Sequence, residues 1–400
     1  MILKSDILNN INIQQNTFNN REYGLVRKVI TTILIDNLRL LIIAGIQSSG
    51  KSTLLFQLFK EKFQDVLYIN FEHPRFYNLD QNDLFKLDEI IEEKGVRILF
   101  FDEIQKLTGW NSYVSQKLSE GFQIVITGSD SSILNNEVDS EFAGLNNIKE
   151  LFPFSYDEFC SFNAIEKNKE STIKYLKKGG FPGYLSSNSD EYLNQFFDDI
   201  LVRRIAVRSG IRDLRSFKRL AIHLLSNVGK LITGNQIKHI LGIKTTSTVI
   251  DYLSYLEAAY LFFYVPKFSY SVSKQMINPR KVYAIDTGLV TVNSALFEDS
   301  TEQLLENMVF LHLRKQVSEL YYHSDKFYCD FVVMTKNRVE RVIQVCEELK
   351  QDNLENELSG VFEAMEYFEL NEGTIVTINQ TDRFERNGMI VSVIPFYSFV

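Results

Sequence analysis

The sequence has few of the residues that hold small secreted domains together. Its 400 residues include three cysteines, an odd number without the paired spacing of a metal site. Cys160, Cys329 and Cys346 therefore indicate a reducing compartment and no disulfide framework. Proline is also scarce, with six residues, and this composition is compatible with an ordinary folded chain.

Long apolar runs are also missing. The longest, such as "LRLLIIAGI" and "AAYLFFYV", are well short of the roughly 20 residues that a membrane-spanning helix requires. The first residues, "MILKSDILNN", lack the basic segment followed by an apolar run that marks a signal peptide. We therefore expect a cytoplasmic protein without membrane association.

Basic residues are outnumbered, with 43 Lys and Arg against 51 Asp and Glu and a formal net charge of -8. This balance argues against bulk electrostatic affinity for nucleic acid, although a local basic patch is compatible with it. Hydrophobic residues make up 45% of the chain, and 31 Phe and 19 Tyr are included among them. The chain can thus bury substantial cores, and its length predicts two or three domains.

Short apolar runs alternate with amphipathic stretches from residue 39 to about residue 155. The runs are "LLIIAG" (40–45), "VLYINF" (66–71), "RILFFD" (97–102) and "QIVITG" (123–128). Such β-branched runs, separated by helical segments, predict the buried parallel strands of an α/β sheet.

The first run is followed by "GIQSSGKST", which matches the P-loop (Walker A) pattern G-x-x-x-x-G-K-[ST]. In such a loop, backbone N–H groups and a helix N-terminus hold the phosphates of ATP. Lys51 is predicted to bridge the β- and γ-phosphates, and Ser52 to bind Mg²⁺. The predicted nucleotide-binding residues are Gly45, Ile46, Gln47, Ser48, Ser49, Gly50, Lys51, Ser52 and Thr53.

The setting of this loop supports the prediction. An apolar strand precedes it, and "STLLFQLFKEKF" follows with Leu54, Leu55, Leu58 and Phe59 at helical spacing. Strand, loop and helix in this order are the context that a P-loop requires.

Two further strand ends carry candidate catalytic residues. "RILFFDEIQKL" has the Walker B arrangement, in which Asp102 would hold Mg²⁺ and Glu103 would act as a general base toward the attacking water. "QIVITGSDSSIL" places Thr127 and Ser129 at the end of the next strand, and Ser129 is the better candidate for sensing the γ-phosphate. Asp and Glu together favour hydrolysis of ATP over binding alone.

The pattern changes after "LFPFSYDEF" (151–159). Residues 171–230 are helical in pattern and are interrupted at "GGFPG" (179–183). Residues 232–268 show the helix, turn, helix and strand pattern of a winged helix, and 282–400 alternate strands with helices. We predict three domains, namely a P-loop ATPase domain (1–160), a helical lid and winged-helix region (161–280) and a C-terminal domain (281–400).

These motifs resemble those of AAA+-like ATPases, and other segments resemble one prokaryotic family in particular. That family joins an AAA+-type ATPase domain to a C-terminal domain of unknown function, and the resemblance covers about residues 20–400. It implies a P-loop NTPase parallel sheet, then a winged helix, then an α+β domain like restriction endonucleases. The segments are "YINFEHPRF", "FPFSYDEF", "KKGGFPGYL", "KVYAIDTGL" and "RVIQVCEEL".

The chain departs from the family at one place near the nucleotide. Where members usually have Gly-Arg before "PFS", this sequence has Gly144 and Leu145. An arginine finger would then have to come from elsewhere. Arg203, Arg204 and Arg208 are candidates, and they are equally compatible with plain surface charge.

The resemblance also implies a nuclease site of two carboxylates and a lysine in the C-terminal domain. The matching positions are Glu306, Asp330 and the pair Gln344 and Cys346, which replace an acidic residue and the lysine. We therefore expect no nuclease activity. The five histidines show no metal-ligand spacing and are interpreted as structural.

Three functions are compatible with the sequence. The first is a Mg²⁺-dependent ATPase whose nucleotide state switches its C-terminal modules, with a possible link to DNA. The second is a module that binds a protein partner and uses ATP or ADP as a slow latch. The third and least favoured is an ATP-dependent nuclease. The candidate recognition helix of the winged helix has no Lys or Arg beyond Lys244, although basic residues occur nearby in "IRDLRSFKRL" and at Lys238 and His239. Packing of this helix on its own domain or on a partner protein is therefore favoured over contact with DNA.

Overall fold

The computed structural model describes most of the chain in five segments, residues 2–35, 38–77, 79–134, 146–294 and 301–400. The chain divides into two compact units, Met1–Phe152 and Pro153–Val400, and each is described by itself. The domain boundaries predicted at residues 160 and 280 stay predictions.

The first unit is built on a five-stranded sheet in the order β2-β3-β4-β1-β5, with every neighbouring pair parallel. This confirms the parallel α/β sheet predicted from the apolar runs. The strands are β1 (Leu40–Ala44), β2 (Val66–Asn70), β3 (Ile98–Asp102), β4 (Gln123–Gly128) and β5 (Asn146–Glu150).

Helices connect the strands, because parallel neighbours need long crossovers. Their apolar sides cover the buried strands, and residues such as Leu41, Leu55, Phe100 and Val125 share one core cluster. The α-helices are α1 (Lys4–Asn19), α2 (Lys51–Lys62), α3 (Leu84–Lys94) and α4 (Trp110–Ser119). Short 3-10 helices occupy Lys28–Thr32, Pro74–Phe76, Gln81–Asp83, Ile104–Lys106 and Ser131–Leu134.

Strand β2 forms one edge of this sheet and is covered by α1. Gln14 accepts a hydrogen bond from the Asn70 N–H at 2.7 Å, and Gln15 accepts one from the Tyr68 N–H at 2.8 Å. The Gln14 amide also donates to the Asn70 carbonyl at 3.4 Å. Side-chain amides thus occupy the place of a neighbouring strand, which protects an otherwise unpaired edge.

The second unit begins with a helical region. Its interruption lies where "GGFPG" predicts one, since one helix ends at Lys178 and the next begins at Pro182. The helices are α5 (Tyr156–Asn163), α6 (Lys169–Lys178), α7 (Pro182–Ser187), α8 (Asp190–Asp199), a π-helical turn (Ile200–Ala206), α9 (Val207–Ser209) and α10 (Leu214–Leu225).

A small antiparallel sheet in the order β6-β8-β7 follows, with helices between its strands. Its strand "KVYAI" pairs with the strand before it rather than with the strands that follow it. The elements are β6 (Leu231–Ile232), α11 (Gly234–Leu241), α12 (Thr246–Ala258), β7 (Phe262–Pro266), α13 (Val272–Ile277) and β8 (Arg280–Ala284).

The C-terminal region carries a mixed six-stranded sheet in the order β13-β14-β12-β11-β10-β9, in which three of the five pairings are antiparallel. The apolar runs did not indicate its strands β9 and β13, which are shorter or more polar. The strands are β9 (Glu319–Ser324), β10 (Tyr328–Thr335), β11 (Arg338–Val345), β12 (Glu372–Thr377), β13 (Asp382–Arg386) and β14 (Met389–Pro395). The helices are α14 (Thr287–Asn293), α15 (Thr301–Arg314), α16 (Leu354–Tyr367) and α17 (Phe396–Phe399).

A buried carboxylate, Asp286, joins three segments of the second unit. It accepts hydrogen bonds from the N–H groups of Gly180 at 2.6 Å and Leu289 at 3.1 Å. The Gly180 carbonyl in turn accepts from the Phe154 N–H at 2.8 Å. A Cβ at Gly180 would lie 2.2 Å from the Phe154 carbonyl oxygen, so only glycine allows this approach. The segments "GGFP" and "AIDTG" therefore meet at one carboxylate, and "FPFS" joins them through the Gly180 backbone.

We expect the free energy of unfolding to depend on pH through Asp286. Burial raises the pKa of Asp286 from 3.8 to about 6, although the N–H groups favour its charged form. Between about pH 4 and pH 6 the folded state holds a proton that the unfolded state has lost, so this group's contribution to the free energy of unfolding decreases as pH rises. The total change is about 3 kcal/mol. Asp286→Asn should remove this component from thermal unfolding curves recorded across that range, whereas the exposed Asp382→Asn should not. Equal slopes for wild type and Asp286→Asn would contradict the assignment.

Candidate functional site

The P-loop lies between β1 and α2, as the sequence predicts. Gly45 has φ +150°, and a Cβ there would lie 2.1 Å from the Leu151 carbonyl oxygen. Gly50 has φ +98° immediately before α2 begins at Lys51. Both positions therefore require glycine, one for a close approach and one for a left-handed turn.

The loop itself has the features of an anion cradle. Ser48 adopts φ +61°, which turns the backbone between the two glycines. The Ser49 hydroxyl is fully buried and has no hydrogen-bond partner among the described residues. A buried donor without a partner is costly unless a ligand satisfies it. The loop thus fits a phosphate group.

The Lys51 ammonium lies inside this loop and is 4% exposed. It donates hydrogen bonds to the carbonyls of Gly45 at 2.9 Å and Ile46 at 3.1 Å. The carboxylate of Glu103 lies 3.4 Å away. One cation is thus held between the P-loop and the end of β3.

Asp102 ends β3 as a fully buried carboxylate. The Tyr68 hydroxyl donates to one of its oxygens at 2.8 Å, and the Thr127 hydroxyl donates to the other. Burial, and then the charge of Asp102, raise the pKa of Tyr68, which keeps this phenol protonated as a donor. The carboxylate orientation is therefore fixed from β2 and β4, the strands on either side of β3.

Glu103 follows in a left-handed conformation with φ +54° and is 7% exposed. Its N–H donates to the Thr127 hydroxyl at 3.0 Å. Its carboxylate accepts from the Ser129 hydroxyl at 2.7 Å and from the Gln105 amide at 2.6 Å. A non-glycine residue at positive φ is uncommon and is found at functional sites. Glu103 and Ser129, which the sequence places 26 residues apart, are direct neighbours.

The sheet explains why these groups meet. In parallel register, Ala44 lies beside Gly128 and Asn70 beside Asp102, so the carboxyl ends of the central strands form one edge. Ligands of open α/β sheets bind at that edge. Residues that are distant in the sequence are thereby placed around a single P-loop.

Arg27 belongs to this site and was not identified from the sequence. It is 4% exposed, and its guanidinium donates to the carbonyls of Ser49 at 2.6 Å and Phe152 at 2.8 Å. A Cβ at Gly50 would lie 3.3 Å from its Nη1 atom. Arg27 thus links the backbone of the P-loop to the segment that follows β5. Two of its partners are backbone carbonyls, which leave no motif in the sequence.

Tyr68 and Gln105 were also not assigned roles from the sequence, and Thr127 was noted there only beside the preferred Ser129. Each of these three side chains contacts Asp102 or Glu103. Gly144 and Leu145, the departure from the family pattern, lie outside the described residues. Arg203 and Arg204 lie in the π-helical turn and Arg208 in α9, all in the second unit.

The predicted nuclease positions form a polar cluster in the second unit that includes an unforeseen lysine. Lys281, from β8, contacts Glu306 at 2.6 Å and Asp330 at 2.7 Å. Although burial opposes it, the pKa of Lys281 is raised well above its ordinary value by these two carboxylates. The cluster thus consists of one buried ammonium held between two buried carboxylates.

The remaining nuclease positions do not complete a metal site. Gln344 accepts from the Asp330 N–H at 3.0 Å and donates to Glu357 at 2.7 Å, and Cys346 packs in an apolar cluster. In the part of the chain that the structure describes, no three His, Cys, Asp or Glu side chains are arranged to hold a metal ion. Every helix in the described ranges is too short or too polar to cross a membrane.

Comparison with known proteins identifies the first unit. Residues 37–160 match the family described as "AAA domain", and residues 169–300 match a domain of unknown function, DUF8612. The chain is 30% identical to the uncharacterized protein MJ1544 of Methanocaldococcus jannaschii, with 100% of this chain and 95% of that protein covered. The chain belongs to the family of this archaeal protein. An uncharacterized protein of Haemophilus influenzae is 28% identical, over 69% of this chain and 74% of its own length.

The AAA-type P-loop ATPase domain predicted from the sequence is thus confirmed. Among solved structures, the Walker-type ATPase paby2304 of Pyrococcus abyssi is similar, with a TM-score of 0.44 and 16% identity over 69% of this chain and 99% of that one. The RuvB Holliday junction branch migration motor of Thermotoga maritima reaches a TM-score of 0.31 and 17% identity, over 64% and 89%. These similarities are too low to carry a functional argument.

The contacts of Arg27 predict an effect on ATP affinity. In Arg27→Met the two buried carbonyls lose a charged donor and the loop relaxes, so the dissociation constant of ATP should rise about tenfold or more. Arg27→Lys should recover part of this loss, because a single ammonium cannot reach both carbonyls as the fork does. Titration with a fluorescent ATP analogue measures the affinity, and circular dichroism checks the fold.

The matched control is Arg39→Met, which removes an exposed arginine that also bonds one carbonyl, that of Leu118 at 2.7 Å. It should leave ATP affinity unchanged. Wild-type affinity in a folded Arg27→Met variant would show that the loop does not depend on this side chain.

Proposed function

We propose that this protein hydrolyses ATP in a Mg²⁺-dependent reaction. The observation that carries the proposal is the chain of contacts linking Lys51, Glu103 and Ser129 around the P-loop. It joins a phosphate-binding cation, a candidate general base and a candidate sensor hydroxyl within hydrogen-bond or ion-pair distance.

The P-loop would bind the phosphates through its amides, from Gly45 to Thr53, and through the Ser49 hydroxyl. Ser52 and Asp102 would hold Mg²⁺, which supplies positive charge that offsets the negative charge developing on the phosphates. Two protein ligands suffice for this ion, because Mg²⁺ keeps several waters and phosphate oxygens in its coordination shell.

Glu103 would accept a proton from the attacking water as the water oxygen bonds to the γ-phosphorus and the bond from this phosphorus to the bridging oxygen of the departing ADP breaks. Its carboxylate is held by Ser129 and Gln105 and faces the Lys51 ammonium at 3.4 Å. Phosphate oxygens would attract Lys51 away from the carbonyls that it contacts here, and this weakens its ion pair with Glu103. Binding of ATP and activation of the base are thereby coupled.

Steady-state assays test this proposal. Glu103→Gln should lower kcat by about 100-fold or more while ATP still binds, because the variant keeps the shape and loses the base. Lys51→Ala should lose ATP binding, and EDTA should abolish turnover by wild type. The exposed Glu92→Gln on α3 is the control and should behave as wild type. Absence of turnover in pure wild-type protein with Mg²⁺, or unchanged kcat in Glu103→Gln, would overturn the proposal.

We further propose that the nucleotide state switches the second unit. Residues 214–284 support a winged helix. A helix, a strand, two helices and two further strands, which the short helix α13 separates, follow one another around a sheet in the order β6-β8-β7. Such a module binds DNA or a protein. The latch on a protein partner is the alternative, and turnover stimulated by duplex DNA would count against it.

An endonuclease-like fold of the C-terminal sheet remains part of this proposal, without the activity. The positive charge of Lys281 is compensated by Glu306 and Asp330. Gln344 supplies no anionic ligand, and Cys346 does not replace the lysine of a nuclease site. Mg²⁺-dependent DNA cleavage that is lost in Asp330→Ala would restore the nuclease as the function.

A further inference from the structure

The second unit carries a strongly basic segment that the ATPase proposal does not use. We call residues 200–219 the basic hairpin; it comprises the π-helical turn, α9, a turn at Gly210 and the first half of α10. It contains seven Arg and Lys and a single acidic residue, Asp213, in a chain whose net charge is -8. The excess of positive charge is therefore local.

The fold turns this charge toward solvent. Helix α10 buries Phe217, Leu220 and Leu224 on one side, which leaves Arg215 and Arg219 exposed on the other. These two arginines are one helical turn apart, and Arg212 is exposed just before the helix. The basic face thus follows from the amphipathic pattern of the helix.

Some of the positive charge is already engaged. Arg203 pairs with Asp199 at 3.2 Å, and Lys218 pairs with Asp198 at 2.6 Å. The carboxylate of Asp213 caps α10 by accepting the Ser216 N–H at 3.0 Å. Arg212, Arg215 and Arg219 are exposed at the turn and on α10, and the planar fork of arginine fits phosphate oxygens.

We infer that the basic hairpin binds the phosphate backbone of double-stranded nucleic acid. Its one aromatic residue, Phe217, is buried, so it offers no surface on which the bases of a single strand could stack. Phosphate contacts alone position a duplex and read no sequence. The expected binding is therefore sequence-independent, sensitive to salt and stronger for duplexes than for single strands.

This surface differs from the one that a winged helix would use. Helix α12, in the place of the recognition helix, carries Asp251 and Glu257 and has no Lys or Arg. Its acidic side chains would repel phosphates. The inference rests on the DNA-linked part of the proposed function and assigns that contact to the basic hairpin instead of α12. It does not depend on hydrolysis of ATP.

Fluorescence anisotropy with labelled duplexes of mixed sequence, about 30 base pairs long, tests the inference. The variant combines Arg212→Glu, Arg215→Glu and Arg219→Glu. It should bind at least about tenfold more weakly than wild type, and the slope of log affinity against log salt should fall by about one for every phosphate that the variant no longer neutralises. Separate measurements with a DNA duplex and with an RNA duplex distinguish the two sources of the same phosphate chemistry. Binding of either duplex supports the inference.

The matched control changes the same charge elsewhere on the second unit, by Lys326→Glu, Arg338→Glu and Arg383→Glu, all at exposed positions. It should bind as wild type does. Equal decreases in affinity in both triple variants would indicate bulk charge and contradict the inference, and wild-type protein that binds no duplex would overturn it outright. Circular dichroism excludes unfolding.

Two further measurements separate binding at the basic hairpin from binding to lipid and from binding at α12. Exposed Val207 and Leu214 flank the arginines, so vesicles containing phosphatidylserine are included. Binding to vesicles without binding to duplexes would overturn the inference in favour of a lipid surface. Ser247→Glu on α12 separates the two DNA surfaces. A decrease in duplex affinity in this variant, together with wild-type affinity in the arginine variant, would contradict the inference and restore α12. Lys51→Ala should bind duplex normally, so a failed ATPase proposal leaves this test intact.

Discussion

The common edge of the parallel sheet is the constraint on which the candidate site depends. Because β1, β3 and β4 run in the same direction in register, their carboxyl ends bring the P-loop, Asp102 and Ser129 together. Glu103 then reaches Lys51 and Ser129 only through its left-handed backbone, which the Thr127 hydroxyl holds. A change of strand order would separate every one of these groups while leaving the sequence motifs intact.

Those motifs are why much of the site was predictable. Gly45 and Gly50 are required by the backbone, and Asp102 and Ser129 follow strands whose apolar pattern is plain. Arg27 was not predictable, because the groups that it contacts on Ser49 and Phe152 are carbonyls, which every residue carries. Lys281 was missed for a related reason: at the start of an apparent strand it has no feature that distinguishes it from surface lysines. A local sequence pattern indicates where a strand ends. Contacts between residues that are 25 or 49 positions apart, such as those of Lys281, become visible only in the folded structure.

The two units use buried charge in different ways. Lys51 is held by two carbonyls and one carboxylate, an arrangement that phosphate oxygens can compete for. Lys281 is held by two carboxylates and lies beside the Tyr328 ring, 4.6 Å from its centroid, so its charge is fully compensated. Removing Lys281 would leave two buried carboxylates without this cation, and uncompensated buried charge is strongly destabilising. One lysine is poised for a ligand, and the other serves the packing of its own unit.

The glutamine side chains on α1 have a consequence for self-association. Because Gln14 and Gln15 occupy the outward-facing groups of β2, another chain cannot extend the sheet at this edge without displacing a helix. Amides carry no charge, so this protection persists at any ionic strength or acidity that leaves the helix folded, unlike an edge guarded by lysines. At this edge, contacts between copies of the protein are therefore limited to side-chain surfaces, where specificity can be tuned residue by residue.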